Sequence, residues 1–293
     1  MYNEKVIDII CDYLRTKGII FKSMMTSNGY LFNENLVNAA VSQWNLKMVQ
    51  ITLDGTEKVY NKIKAFIYPD SNAYQTVMHN IQLLLDAGIK VHIRLNLDLY
   101  NADDLMCLAD ELSERFSHYN NINVYAHHLF EDGTPIAELH TEEEWNARDA
   151  VMCRLEEKLN RNGLVVKQGI SKRLKMNQCM ADSGDSITIL PDGNIGLCEH
   201  FTESEFIGHI SSETFDSSVI SEWKSTIPEV PECAKCFLYP ECIKLKKCTN
   251  ASVCYPHYRI DRLRKVTQRI LCEYEKWHDT TQDSLDEEFP FDS

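Results

Sequence analysis

The sequence has no run of about 18 apolar residues, and its start, Met-Tyr-Asn-Glu-Lys, has no apolar signal core. A membrane span and a secretory route are therefore not indicated, and the expected compartment is the cytoplasm. Positive charge is also in short supply. The 293 residues carry 30 Lys and Arg against 44 Asp and Glu, a net charge of −14, which argues against a general nucleic-acid binder. Part of that acidity sits in the last residues, 279–293, which have no Lys or Arg and are expected to be a disordered tail. A local basic stretch, Lys244, Lys246, Lys247, Arg259, Arg262, Arg264, Lys265 and Arg269, reads as a solvated helix face, with a surface for an acidic peptide as the alternative. With 44% hydrophobic and 25% charged residues, the chain is long enough to bury a core of its own.

Apolar periodicity in the first half alternates between helix and strand. Val6, Ile9, Ile10, Tyr13 and Leu14 recur at helical spacing ahead of Gly18, and Ile19 to Met25 reads as a strand. Leu36, Val37, Ala40, Val41 and Trp44 mark a second helix, and Met48 to Asp54 a second strand closed by Gly55. A helix over 73–87, with Ser71 near its start and Gly88 after its end, precedes a strand over 90–98. In the next helix Asn101 is placed to cap, Asp104 to meet the positive end of the dipole, and Leu105, Leu108, Leu112 and Phe116 to form the buried stripe. A fourth strand follows over 123–130, then a helix carrying Met152, Leu155 and Leu159 that ends near Gly163. Strands separated by such helices imply right-handed βαβ crossovers and a parallel sheet with its functional groups at the carboxyl ends of the strands. Four strands are few for a closed barrel, so the sheet is expected to be open or the chain to lack strands that would precede Met1.

What the chain has in plenty is cysteine. Seven of its 11 cysteines, Cys179, Cys198, Cys233, Cys236, Cys242, Cys248 and Cys254, lie in one stretch where an even spread would place about three. Cys233-Ala-Lys-Cys236 is a knuckle that lets two thiolates reach one metal centre. Upstream, Ile187–Leu190 and Ile195–Cys198 flank the turn Pro191-Asp-Gly-Asn194, a hairpin pattern that puts Cys198 on the return strand. A reducing compartment and an odd cluster disfavour disulfides. Spacing alone leaves zinc and iron–sulfur equally open, because both take four thiolates.

The order of features resembles the radical S-adenosylmethionine (SAM) enzymes with a SPASM extension, the group that includes peptide maturases and anaerobic sulfatase maturases. Thr26-Ser-Asn-Gly29, Val49-Gln-Ile-Thr-Leu-Asp-Gly55 and Ala87-Gly-Ile-Lys-Val-His-Ile-Arg-Leu-Asn96 look like successive strand motifs of the radical SAM barrel. The SPASM pattern is Cys179, then Gly193-x4-Cys198, then Cys233-x2-Cys236-x5-Cys242, then Cys248 and Cys254. It departs in one place, since the gap between Cys242 and Cys248 is longer than usual.

The resemblance implies an α/β fold: a partial radical SAM (β/α) barrel over 1–135, a bridging helix over 136–164, and a SPASM domain with a β-hairpin and a C-terminal helix over 165–278. It further implies up to two auxiliary [4Fe-4S] clusters, one on Cys233, Cys236, Cys242 and Cys254, the other on Cys179, Cys198 and Cys248 with an open iron position. Arg94 and Thr52 would meet the methionyl carboxylate of S-adenosylmethionine, with Asn28 and Asn96 at the same mouth. Glu199, directly after Cys198, would accept a substrate proton. The family's Cys-x3-Cys-x2-Cys loop and its Gly-Gly-Glu segment are both absent, and Cys11, Cys107, Cys153 and Cys272 stand alone on expected helices. The expectation is the C-terminal part of a peptide-modifying enzyme, inactive by itself. S-adenosylmethionine and a third cluster would belong only to the complete enzyme. The expected partners are a peptide or protein substrate and a complementing N-terminal chain, with neither nucleic acid nor membrane. The alternative is a non-catalytic peptide-binding module that holds zinc or a cluster.

Overall fold

A computed structural model of the chain describes residues 4–65, 71–129, 141–165, 181, 186–199, 205–212, 214–226, 231–236, 247, 263, 267, 270, 271 and 274. The chain divides into two compact units, 1–132 with 140–167, and 133–139 with 168–293.

The first unit is a four-stranded parallel sheet with helices. In chain order it runs α1 (Glu4–Thr16), β1 (Ser23–Ser27), α2 (Glu34–Ser42), β2 (Leu46–Leu53), α3 (Glu57–Lys64), α4 (Ala73–Asp86), β3 (Lys90–Leu97), α5 (Ala102–Phe116), β4 (Ile122–His128) and α6 (Glu142–Arg161), with the strands in the order β1-β2-β3-β4. Strict alternation of the pleat sends Val49, Ile51 and Leu53 of β2, Val91, Ile93 and Leu95 of β3, and Ile122 and Val124 of β4 into one buried layer. The stripe of α5 packs there as expected, with Leu105, Leu108 and Leu112 fully buried. Trp44, Tyr74 and Ile81 complete the core, and Tyr60 meets Tyr74 edge to face at 5.8 Å.

Two local expectations are corrected. The first strand starts at Ser23 rather than Ile19, because its partner β2 starts only at Leu46, after Asn45 turns the chain with φ 47°; pairing begins at Ser23↔Leu46. Asn101 stands at the N-cap of α5 without capping it. Its amide donates instead to the carbonyls of Asn96 (2.8 Å) and Asp54 (3.3 Å), while Asp98 caps the short 3-10 turn Leu99–Asn101. The helix over 73–86 is capped by Asn72, whose Oδ1 accepts from the Gln75 N–H at 3.2 Å.

Helix α6 opens with a capping box between Thr141 and Glu144 and buries Val151, Met152, Leu155 and Leu159 in the core of the first unit. Beyond it the Leu164 carbonyl accepts a hydrogen bond from the Val124 N–H at 2.8 Å, which covers part of the β4 edge.

The second unit contains β5 (Thr188–Ile189), β6 (Asn194–Gly196) and β7 (Gly208–His209) in an antiparallel ladder, and α7 (Ser217–Trp223) capped by Asp216. Ile195, Leu197, Ile207 and Trp223 form its small core. The turn between β5 and β6 uses Gly193 at φ 91°. A Cβ there would lie 2.6 Å from His209 Nε2, the nitrogen that meets the Asp192 carbonyl at 3.0 Å. Cys198 falls two residues past the return strand rather than on it, because the ladder ends at Gly196. The expected C-terminal helix and acidic tail lie almost wholly outside the described residues.

Candidate functional site

Opposite its helix-covered layer the sheet shows a polar, half-exposed face. The same alternation that buries one set of side chains places Gln50 and Thr52 of β2, His92, Arg94 and Asn96 of β3, and Asn123, Tyr125 and His127 of β4 on this side. Parallel sheets are ordinarily covered on both faces by apolar layers, so a face of this composition reads as the lining of a site. Register sets its rows: Thr52 is the cross-strand neighbour of Arg94, and Arg94 of Tyr125. Gln50, His92 and Asn123 form the next row.

Arg94 is the guanidinium of the face. One of its terminal nitrogens lies 3.1 Å from His127 Nδ1, which also lies 2.8 Å from the His128 carbonyl. Its Nε is buried and has no hydrogen-bond partner among the described residues. A guanidinium with such an N–H is short of an acceptor, and a carboxylate is the acceptor it suits best. Tyr125 donates its hydroxyl to Gln50 Oε1 at 2.8 Å across β3; burial raises its phenol above the ordinary value, and the Arg94 charge opposes that rise. Burial, and then the Lys90 charge, holds the His92 imidazole below its ordinary value.

Of the expected cofactor residues, Thr52, Arg94 and Asn96 share this face. Asn96 Nδ2 donates to Asp54 Oδ1 at 2.8 Å, while its own Oδ1 is buried without a partner among the described residues. Asn28 lies just beyond β1, exposed, and accepts from the Tyr30 N–H at 3.1 Å in a local turn. Sequence reasoning did not single out Asp54. It is 8% exposed at the end of β2 and is held by Asn96 and by Lys64, whose Nζ lies 3.0 Å from Oδ2. Behind it Asp104 accepts from both the N–H and the hydroxyl of Thr56 at 2.7 Å, pinning the turn that follows. Nor were Tyr125 and His127 singled out, although strand alternation put them on the Arg94 face. From α6, Arg148 reaches Asp98 at 3.0 Å, and Asp149 reaches His128 Nε2 at 3.7 Å, so this helix ties down the carboxyl ends of β3 and β4.

The three described lone cysteines lie on three helices: Cys11 buried in α1, Cys107 exposed on α5 and Cys153 half-buried on α6. None is on the polar face, and the three do not form a cluster loop. Among the described residues, none of these three cysteines is placed to hold an iron–sulfur cluster at the strand ends.

In the second unit, Cys233 lies within the 3-10 stretch Pro231–Lys235 and Cys236 directly follows it, with the Cys236 N–H donating to the Cys233 carbonyl at 3.1 Å. Cys198 Sγ is 4.0 Å from Oε2 of the exposed Glu199. Cys179, Cys242, Cys248 and Cys254 lie outside the described residues, and among the described residues no three metal-ligating side chains converge. Lys247, next to Cys248, bridges Glu222 at 3.0 Å and Glu205 at 3.4 Å. No helix among the described residues is long and apolar enough to cross a membrane.

No family model and no curated protein matches the sequence. Solved structures do. A hexahistidine-tagged form of anSMEcpe with bound AdoMet aligns over 97% of this chain and 78% of its own, with a TM-score of 0.59 and 13% identity. Native anSMEcpe with bound AdoMet and Cp18Cys peptide aligns over 95% and 82%, with a TM-score of 0.60 and 13% identity. The same protein with AdoMet and Kp18Cys peptide aligns over 80% and 69%, at 0.53 and 14%. At such identity the likeness is one of fold, a mixed α/β architecture with a four-stranded parallel sheet.

Proposed function

We propose that this chain is the strand-end and cysteine-rich portion of a peptide-modifying enzyme of the radical SAM/SPASM kind. Its sheet face would keep affinity for the amino-acid moiety of S-adenosylmethionine even without the catalytic cluster that a complete enzyme would add, and its cysteine-rich unit would hold up to two auxiliary [4Fe-4S] clusters. The observation that carries the first half is Arg94, whose buried Nε has no partner among the described residues and which stands beside Thr52 on the polar face. The fold shared with a protein whose structures hold AdoMet and peptides supports it. Thr52 would add a hydroxyl donor to the carboxylate, Asn96 and Asn28 would line the mouth, and Tyr125 and Gln50 would form a fixed polar floor.

The knuckle at Cys233 and Cys236, with Cys198, Cys179, Cys242, Cys248 and Cys254, supports the second half. Bound there, iron–sulfur clusters would supply electron transfer or a coordination site for a substrate thiol. Glu199 would take the substrate proton in the complete enzyme. This chain has no three-thiolate loop for a catalytic cluster, so no radical step is assigned to its residues. That same absence favours a second reading, a peptide-binding module with zinc or one cluster and no catalysis.

The test is calorimetric titration of the full chain with S-adenosylmethionine. Binding should weaken by about tenfold or more in Arg94→Gln, in line with the loss of a charge-assisted hydrogen bond, and an analogue lacking the carboxylate should not distinguish the two proteins. A wild-type chain that binds no S-adenosylmethionine, or an Arg94→Gln chain that binds it equally well, overturns the assignment. Iron, sulfide and zinc analysis after anaerobic purification separates the two readings. About eight irons and eight sulfides per chain would fit two cubane clusters, whereas stoichiometric zinc without iron would favour the module.

A further inference from the structure

A guanidinium that receives a carboxylate has to be aimed at it. Arginine ends in a planar fork on a flexible stem, so a neighbour must hold the fork while the Nε–H of Arg94 stays open. Two neighbours on the polar face come from β4. Tyr125, the cross-strand partner of Arg94, gives its hydroxyl to Gln50 Oε1. His127 is the cross-strand partner of Asn96 and so the diagonal neighbour of Arg94, a distance that long side chains bridge. Its Nδ1 lies 3.1 Å from a terminal nitrogen of the guanidinium.

Guanidinium nitrogens only donate, so this contact is a hydrogen bond only when Nδ1 presents a lone pair. The same nitrogen lies 2.8 Å from the His128 carbonyl, which only accepts and calls for a proton there. Nδ1 serves one of them at a time. In the neutral imidazole, a lone pair on Nδ1 makes a charge-assisted bond with Arg94 and places the proton on Nε2, whereas a proton on Nδ1 would set N–H against N–H beside a full positive charge. In the imidazolium both nitrogens carry protons, and Nδ1 donates to the carbonyl instead. That carbonyl stands at a fixed strand end: His128 is in register with Leu97, the Leu129 N–H donates to the Leu97 carbonyl at 3.0 Å, and Asp149 of α6 lies 3.7 Å from His128 Nε2.

We propose that His127 is the positioning residue of Arg94: its Nδ1 lone pair holds one guanidinium N–H and leaves the buried Nε–H to the ligand carboxylate, and protonation of the ring releases the guanidinium. The inference rests on the assignment of that carboxylate to Arg94. Other charged or titratable groups lie on the same face or at the same strand ends: His92 and Arg94 of β3, Tyr125 and His128 of β4, and Arg148 and Asp149 of α6. Asn96, paired with His127, brings Asp54 and its partner Lys64. All of these are unchanged in a variant of His127, so their titration cancels in a comparison with the wild type.

Two variants test it: His127→Leu, which has no acceptor, and His127→Asn, whose Oδ1 accepts in the place of Nδ1 but does not titrate. The full chains are titrated calorimetrically with S-adenosylmethionine at pH about 8 and about 5.5, on either side of the ordinary histidine value, with circular dichroism to check the fold. At the higher pH, His127→Leu should bind about tenfold more weakly, His127→Asn should restore most of that loss, and His127→Leu should add nothing in an Arg94→Gln background. On acidification the wild type should lose more affinity than His127→Asn. Histidine nitrogen NMR reads the bond without a ligand: at the higher pH the His127 Nδ1 resonance, assigned by its loss in His127→Asn, should be that of an unprotonated nitrogen. A protonated Nδ1 there, a His127→Leu chain that binds as the wild type does or loses as much without Arg94, or a wild type that gains affinity on acidification relative to His127→Asn overturns the proposal. A wild type that binds no S-adenosylmethionine overturns the carboxylate assignment instead, and the Nδ1 resonance still decides whether His127 holds Arg94.

Discussion

Arg94 and Asp54 differ in how far the sequence exposes them. Arg94 sits in a regular strand, so alternation alone put it on the same face as His92 and Asn96, and the register with β2 then set Thr52 beside it. Asp54 owes its place to Lys64 and Asn96, from a helix and a strand that no local pattern connects to it. The same holds for Asn80, a buried amide that donates to the carbonyls of Gly29 (2.9 Å) and Tyr30 (3.0 Å) and so fixes the turn after β1. Replacing it with Ala leaves two carbonyls short of a donor, and Asn80→Ala should cost about 1–3 kcal/mol in denaturant unfolding. His92 gives a pH prediction. Burial lowers its folded-state value below that of the unfolded chain, so the unfolded state binds the extra proton. Its contribution to stability is complete above the ordinary histidine value of about 6.5 and is lost as pH falls through that value to the lower folded one. The difference in melting temperature between wild type and His92→Gln should therefore shrink or reverse on acidification from pH about 8 to about 5.

At the level of elements, long apolar stripes were legible and short connections were not. Helices α4 and α5 and strands β2, β3 and β4 follow from periodicity because each buries a full face against the same layer. Helix α3 (Glu57–Lys64) has too short a stripe to be read from sequence and is held by tertiary contacts, Tyr60 on Tyr74 and Asn61 Nδ2 to Asn72 Oδ1 at 2.8 Å. The start of β1 was set by where its partner begins rather than by its own apolar residues. The turns at the strand ends admit little substitution. Gly29 has φ 77°, and a Cβ there would meet Ile51 Cδ1 at 3.1 Å. Gly29→Ala should lower stability by about 1 kcal/mol or more, measured by chemical unfolding. Gly55→Ala would bring a Cβ to 2.6 Å from Val59 Cγ1 and into the carboxylate of Asp104. It should loosen the Asp54 turn and weaken ligand binding at the Arg94 face in the same titration that tests Arg94→Gln.

For the whole molecule, the division into a sheet unit and a cysteine-rich unit, taken with the proposed cluster sites, predicts two separable responses to metal removal. Each unit has its own apolar cluster, the large one under the sheet and the small one around Trp223. Removing metal anaerobically with a chelator should lower or abolish one calorimetric transition and leave the other in place; a single transition that shifts as a whole would show that the units unfold as one. Residue order was enough to specify the succession of helices and strands, the parallel sheet they imply, and the cysteine spacing on which the proposed metal sites rest. Those signals are local: periodicity within a dozen residues, or ligands on one short stretch of chain. Folding settled the rest. It brought particular polar strand residues together, left the buried Arg94 Nε without a partner among the described residues, and set Asp54 between Lys64 and Asn96. These outcomes depend on strand register and on packing between segments far apart in the chain, and no local pattern encodes them.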